Sequence, residues 1–196
     1  LSLRLVQKIK KEDEHTRTDR NPAKAMTALF KISEAVSHTR NLDELYRVIH
    51  LSLGEIFKVD NFYIALLDED QDTLFFPYYV DEQGAALDAV RNFSRTEASI
   101  SIVIKEKQPR IFLNGEIVRL STKDEDRSAV PASKIWLGAP LVINDKVKGA
   151  IVVQSYTDEA DYEQEDLDLL NSISQHIALA IERKESDEKL EEQRSI

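Results

Sequence analysis

The chain has 196 residues and a mass of 22.4 kDa, with a formal net charge of −10, 42% hydrophobic residues and no cysteine. This composition excludes collagen-like, low-complexity and wholly disordered chains. The lack of cysteine excludes disulfides, thiolate metal sites and a cysteine nucleophile, and it fits a reducing compartment, so we expect a cytoplasmic location. No apolar run approaches the roughly 20 residues of a membrane span. We expect a piece of a longer protein.

Charge is distributed unevenly along the chain. Residues 1–24 carry seven Lys or Arg and four Asp or Glu, whereas residues 156–196 carry four and 13. Nucleic-acid binding depends on neutralising phosphates with Lys and Arg, so we expect no nucleic-acid partner. We also expect no direct membrane contact. The acidic C-terminal stretch indicates a solvent-exposed helix face.

The first 20 residues are predicted to form a linker or signalling helix. An apolar stripe at helical spacing runs through Leu1, Leu5 and Ile9, and residues 13–20 contain no apolar residue. The stripe is too short to fold alone, so it indicates the end of a longer helix.

Two further helices are predicted before the first strand. Asn21-Pro22 begins one of them, because Asn caps helices and Pro suits the first helical position. Asn41 begins the next, and Glu44 completes a capping-box pattern with it. This second helix is predicted to end near Phe57-Lys58.

Two strands joined by a short turn are predicted next. Asn61–Leu67 is apolar on both faces, so both faces of the sheet should be covered. Asp68–Asp72 is a turn rich in Asp, but it lacks the Gly and Glu that an EF-hand calcium loop requires. Thr73–Val80 is the second strand, and Pro77 within it predicts an edge or bulged position.

The middle of the chain, residues 81–134, is predicted to be irregular. Within it, Val90–Phe93 and Arg110–Leu113 are short strands, and Glu97–Lys107 is a short amphipathic helix.

A β-hairpin and a long helix complete the chain. Trp136–Ile143 and Lys146–Ser155 are strands joined by Asn144-Asp145, two residues that tolerate positive φ in a tight turn. Glu163–Arg194 is one helix, whose apolar stripe thins after Arg183. The order of elements predicts an α+β domain built on an antiparallel sheet.

The sequence contains no signature of catalysis. Its five glycines are far apart, so it has no phosphate-binding loop, and neither G-x-S-x-G nor H-E-x-x-H occurs. We therefore expect neither an enzyme nor a metal site. The terminal helices can cover one sheet face, so the irregular middle must cover the other, where a small-molecule pocket is predicted. We predict that this pocket is lined by Tyr63, Tyr79, Phe93 and Trp136.

These segments resemble a known family over roughly residues 25–184. The stretch WLGAPLVINDKVKGAIVVQSYTDEADYEQEDLDLLNSISQHIALAIERK is similar to the C-terminal half of a GAF domain. The segments LFKISEAVSHTRNLDELYRVIHLSLGEIF and NFYIALLDED are similar to the opening helices and first strand of that family. The pieces WLGAPL and VVQSY resemble GAF domains of bacterial sensor histidine kinases and diguanylate cyclases.

The resemblance implies a central antiparallel sheet of five to six strands, with terminal helices on one face and loops and short helices on the other. It implies a sensory or regulatory module, often dimeric, and leaves the ligand unidentified. Bilin-carrying members attach the chromophore through Cys, so no covalent bilin is expected. Ser155-Tyr156 and Leu167 depart from the pattern of cyclic-nucleotide binders, which argues against that ligand.

We therefore predict three segments: a linker or signalling helix over 1–20, a GAF-like sensor domain over 21–184, and the start of a helix to an effector over 185–196. The main hypothesis is a small-molecule-sensing regulatory domain of a bacterial signal-transduction protein. It would form a homodimer through its terminal helices and act on an effector domain in the same parent chain. The alternative is a ligand-free dimerisation and signal-relay module.

Overall fold

The computed structural model describes residues 22–68, 70–84, 87–120 and 133–194. The predicted N-terminal helix, within residues 1–20, lies outside them. The helices are α1 (22–38), α2 (Leu42–Leu53), α3 (Ser99–Glu106) and α4 (Gln164–Arg194). The strands are β1 (Phe62–Leu67), β2 (Thr73–Val80), β3 (Val90–Arg91), β4 (Arg110–Leu113), β5 (Ile135–Ile143) and β6 (Lys146–Ser155). Two short 3-10 turns cover Phe93–Arg95 and Glu159–Asp161.

The strands form one six-stranded sheet in the order β3-β2-β1-β6-β5-β4. All neighbouring strands are antiparallel. The predicted α+β class, with a central antiparallel sheet, is confirmed.

The predicted strand at Val90–Phe93 is shorter than expected. Only Val90 and Arg91 pair with β2. Asn92 takes a left-handed backbone conformation, with φ of 54°, and this turns the chain into the 3-10 turn that begins at Phe93. The left-handed turn ends the pairing before Phe93 can join the sheet.

Helices α1, α2 and α4 cover one face of the sheet. Phe62, Ile64 and Leu66 of β1 point into this helix-covered face and are buried there. Each fully buried side chain of this size contributes about 1.5–3 kcal/mol through the hydrophobic effect. The opposite face is covered by α3 and by the described parts of the irregular middle, as predicted; we call it the loop face.

The predicted helix cap is present at the corner between α1 and α2, directly before the first residue of α2. The side-chain oxygen of Asn41 accepts a hydrogen bond from the N–H of Glu44 at 3.0 Å. The carboxylate of Glu44 does not bond back to Asn41 but accepts from the N–H of Arg40 at 2.8 Å. In a regular capping box the Glu carboxylate accepts from the N–H of the N-cap residue, here Asn41. In this protein it accepts instead from the N–H of the preceding residue, Arg40.

Two prolines lie on strand segments that extend past a short neighbour. β3 pairs only with Thr73 and Leu74 of β2, and β4 pairs only as far as Gly138 of β5. Pro77 and Pro140 both lie beyond these pairings. Pro77 also falls at a bulge, where the register with β1 shifts between Ile64 and Leu66. The predicted edge or bulged position of Pro77 is confirmed.

Within the described ranges, no helix combines the length and the apolar character that crossing a membrane requires.

Candidate functional site

The loop face carries a second apolar cluster, separate from the one beneath the helices. Alternate residues of β1, β5 and β6 point into it, because successive strand side chains face opposite sides of a sheet. The buried members of the cluster are Tyr63, Ala65, Leu74, Val90, Phe93, Ala98, Ile100, Val103, Ile104, Trp136, Val147, Ala150 and Val152.

Two of the predicted ligand-binding residues form the centre of this cluster. Tyr63 lies on β1 and Trp136 on β5, and both side chains are buried. The indole N–H of Trp136 donates a hydrogen bond to the hydroxyl oxygen of Tyr63 at 3.2 Å. Burial raises the pKa of Tyr63 above its ordinary range, so the hydroxyl stays neutral.

Gly138 gives the indole room to lie over the sheet. A Cβ at this position would stand 2.3 Å from Cη2 and 2.5 Å from Cζ3 of Trp136. The ring therefore lies back along β5 over the glycine, and any larger residue there would displace it.

Tyr79 joins this pair to a polar cluster. Its ring centroid lies 5.4 Å from that of Tyr63. The carboxylate oxygen Oδ2 of Asp81 accepts hydrogen bonds from the hydroxyls of Tyr79 at 3.3 Å and Tyr156 at 2.6 Å, and from the amide of Gln154 at 3.3 Å. Burial, reinforced by the Asp81 carboxylate, raises the pKa of both the Tyr79 and the Tyr156 hydroxyl.

Phe93 belongs to the same apolar cluster but lines a different space. It forms part of an open cavity of about 560 Å³ at the end of the loop face where the β1–β2 and β5–β6 turns meet. Tyr63, Tyr79 and Trp136 do not line this cavity. Of the four predicted residues, Tyr63 therefore contacts both Trp136 and Tyr79, and Phe93 lies apart. Their binding of a ligand stays a prediction.

Asp81 and Gln154 were not among the predicted site residues. The signal for Gln154 was available, because it follows Val152 at a spacing of two and so shares its sheet face. No local pattern could have identified Asp81 as part of this cluster, since the three donors to its Oδ2 come from β2, β6 and the residue after β6.

Helix α4 is attached to the α1–α2 corner by two charged residues one turn apart, which we call the α4 clamp. Lys184 is only 7% exposed, and its ammonium donates to the backbone carbonyls of Thr39 and, at 3.5 Å, Val36. Glu188 accepts a hydrogen bond from the N–H of Leu42 at 2.7 Å. A cation thus meets the C-terminal end of α1 and an anion meets the N-terminal end of α2, the arrangement that helix dipoles favour.

A groove of about 380 Å³ runs beside this part of α4, between the helix and the turns at the end of the sheet. Its apolar residues include Leu66, Leu141 and Ile181. Glu185 points a half-buried carboxyl into the groove, and burial raises its pKa. Among the described residues, no group of three or more His, Asp or Glu side chains could hold a metal ion.

Comparisons with known proteins agree with this architecture. The sequence model of one family, described as the GAF domain, matches residues 39–182. A search of curated proteins finds no match. One similar solved structure is the GAF domain of a phosphoenolpyruvate-protein phosphotransferase from Acinetobacter, with a TM-score of 0.62 and 17% identity; the match covers 84% of this chain and 97% of that one.

Two further solved structures resemble the chain. The GAF domain of a phosphoenolpyruvate-protein phosphotransferase from Coxiella burnetii has a TM-score of 0.64 and 15% identity, covering 86% of this chain and 99% of that one. The phycoerythrobilin-bound GAF domain of a cyanobacterial phytochrome has a TM-score of 0.61 and 14% identity, covering 83% and 96%. At these identities the likeness shows the fold alone.

Proposed function

Because this chain belongs to the GAF domain family, which includes regulatory and sensing modules, we propose that it is a small-molecule-sensing domain of a bacterial signal-transduction protein. A ligand bound on the loop face would favour one arrangement of α4 over another. The helix would pass this change to an effector domain in the same parent chain. We propose no catalytic role, and the cytoplasmic location expected from the composition stays a prediction.

The observation that carries the proposal is that β5 contributes buried side chains to both faces of the sheet. Trp136 of β5 points into the loop-face cluster, whereas its neighbours Leu137 and Ala139 are buried in the cluster that contains α4. A ligand that moves the indole of Trp136 would therefore shift the strand on which α4 packs. Coupling between two sites is typically about 1–3 kcal/mol, so a small displacement of β5 would suffice.

The test uses the whole chain with two spin labels, since the protein has no cysteine of its own. Asp187→Cys places one label on the exposed part of α4, and Glu159→Cys places the other on the 3-10 turn before it. Small molecules are first screened by the fluorescence of Trp136, the single tryptophan. A binder that also changes the distance between the labels supports sensing. Binders that all leave the distance unchanged contradict it.

A ligand-free dimerisation and relay module is the second candidate function. It is favoured by exposed apolar side chains on α1, where Met26 is 70% and Phe30 62% exposed and the two lie one turn apart. It is also favoured by the Tyr63–Trp136 hydrogen bond, which satisfies both polar groups without a ligand. In this case two copies would associate through their terminal helices.

Native and denatured masses of the purified chain separate the two candidates. A dimer that loses a small excess mass on denaturation supports a sensor with bound ligand. The variant Phe30→Glu should dissociate a dimer formed through α1. Leu51→Glu is the matched control, because Leu51 is 66% exposed on α2, which is not a terminal helix. A dimer that survives Phe30→Glu contradicts association through that face of α1.

A further inference from the structure

The open cavity at the end of the loop face combines an apolar floor with basic side chains. Phe93, Ile104 and Val147 supply apolar surface, and all three are buried members of the loop-face cluster. The volume of about 560 Å³ falls within the range of about 300–1,000 Å³ that is usual for small-molecule sites. The cavity lies apart from Tyr63 and Trp136.

The charge at this cavity is opposite to that of the chain as a whole. Lys105, Lys107 and Lys146 line it, and its single lining carboxylate is Asp145, within a chain of net charge −10. The side chain of Asp145 is 94% exposed, and its carboxylate lies 3.5 Å from the ammonium of Lys107. Asp72 lies behind the lining, where its carboxylate accepts from the N–H of Ser94 at 2.9 Å.

Backbone carbonyls hold two of these ammonium groups in place. Lys105 donates to the carbonyl of Thr96 at 2.8 Å, and Lys107 donates to the carbonyl of Asp145 at 2.6 Å. An ammonium has three donors, so each of these groups can still bond a further acceptor.

The backbone around the cavity is held in conformations that non-glycine residues rarely adopt. Four lining residues have positive φ: Gln71 at 62°, Lys107 at 55°, Asn144 at 49° and Asp145 at 65°. Asn144 and Asp145 form the tight turn of the β5–β6 hairpin and Lys107 ends α3, so these conformations belong to local turns and fix the positions of the lining residues.

We propose that this cavity binds a small organic anion, with a carboxylate or phosphate at the three lysines and an apolar body on Phe93, Ile104 and Val147. This inference rests on the proposed sensing function and adds to it a second ligand site, separate from the one that would act through Trp136. The charge of the lining selects an anion over a cation, and the apolar floor selects an organic body over an inorganic ion.

The cavity adjoins the groove beside α4, so an anion bound in the cavity would affect residues that also face this helix. Leu67, Gln71 and Lys146 line both this cavity and the groove beside α4. Across that groove, Lys146 shares the lining with the carboxyl of Glu185. An anion that draws the ammonium of Lys146 toward the cavity would weaken its attraction to the acidic face of α4.

The test titrates the full chain with octanoate, octyl phosphate and the neutral octanamide, monitored by amide NMR and calorimetry. We expect the two anions to bind and to shift the amides of Lys107 and residues 144–147, with octanamide weaker by about tenfold or more. Octyl phosphate binding alone would identify the head group as phosphate, and octanoate binding alone as carboxylate. No binding of either anion at millimolar concentration, or equal binding of octanamide, would overturn the proposal.

Substitutions of the lysines that line the cavity test whether the anion binds there. Lys107→Gln and Lys146→Gln should each weaken anion binding by roughly three- to tenfold, as the loss of one charged partner predicts. Lys148→Gln is the control, because Lys148 lines the groove and not the cavity. Unchanged affinity in the first two variants would overturn the site. Anion binding without a change in the spin-label distance would instead contradict sensing through this cavity and leave the site itself intact.

Discussion

Gly138 makes the position of Trp136 testable at the level of single atoms. In Gly138→Ala the new methyl would collide with the indole, which lies 2.3 Å from the ideal Cβ position. Overpacking of this kind costs about 1–3 kcal/mol. We expect a loss of that size in the free energy of unfolding, together with a shift in the emission of this single tryptophan.

Gly54→Ala is the control for this substitution. Its Cβ would meet the side chain of Val59 at 3.2 Å and lies far in sequence from the loop face. The tryptophan emission spectrum of Gly54→Ala should therefore match that of the unaltered protein. An unchanged emission spectrum in Gly138→Ala would show that the indole does not lie over the glycine.

Asp161 provides a prediction about acid stability. Burial alone would raise the pKa of its carboxyl, but hydrogen bonds from Ser155, Lys58 and Thr157 outweigh burial and lower it. A lowered pKa means that the stabilisation is present above the ordinary value of about 3.9 and is lost as pH falls through the folded-state value. We expect Asp161→Asn to be less stable at neutral pH and to show a shallower loss of stability below about pH 4.

Urea unfolding at a series of pH values measures this effect. Asp187→Asn serves as the control, because Asp187 is an exposed residue of α4. If the slope below pH 4 is the same in Asp161→Asn as in the unaltered chain, the hydrogen bonds to Asp161 do not stabilise the folded state.

At the scale of elements, the α4 clamp determines how the last turns of α4 are held. Beyond Lys184, no residue of α4 up to Arg194 is buried. Replacing Lys184 by Met keeps the apolar stem but removes the cation from the carbonyl end of α1. Contacts of a charge with a helix end are worth up to about 2 kcal/mol when partly buried.

We expect Lys184→Met to lower the free energy of unfolding by about 1–2 kcal/mol and to speed amide hydrogen exchange from residue 185 onward. Lys148→Met is the comparison, since Lys148 forms a half-exposed pair with Glu182 at 3.6 Å and such pairs contribute about 0–1 kcal/mol. Equal effects of the two substitutions would argue against the clamp.

Elements with local signals could be predicted from the sequence. The β5–β6 hairpin follows from Asn144-Asp145, and both residues do adopt positive φ, at 49° and 65°. The length of β3 could not be predicted, because it depends on the left-handed turn at Asn92. The burial of Lys184 could not be predicted either, since lysine is rarely buried and its partners lie about 145 residues away. The loop-face site was only partly predicted, because Gln154 and Tyr156 lie 73 and 75 residues from the Asp81 carboxylate to which they donate.

At the scale of the whole molecule, the acidic end of α4 bears on any association through terminal helices. Residues 185–194 carry five Asp or Glu and two Lys or Arg. Two copies with these segments side by side would repel each other, and salt screens such repulsion beyond about 10 Å at 0.1 M. We therefore expect a dimer of this kind to tighten as salt rises, and sedimentation at low and high salt measures it.

A dimer that weakens with salt would contradict parallel, adjacent acidic segments and would indicate attraction between unlike charges instead. A variant with Glu191 and Glu192 both changed to Gln provides the control. Its association should depend less on salt than that of the unaltered chain, because two repelling charges are gone from each copy.

Pro77, on the second strand from one edge of the sheet, has a consequence for solubility. An exposed strand edge is a template for pairing with another chain, and proline blocks it because proline has no N–H to donate. Pro77 lies where the short strand β3 leaves part of its neighbour β2 unpaired, and it is half-exposed there, whereas Pro140 is buried on β5. Pro77→Val should fold and yet form fibrous aggregates at concentrations where the unaltered chain stays dispersed, whereas Pro140→Val should not. Pro77 thus withholds an N–H from the stretch of β2 that no described strand covers on the β3 side.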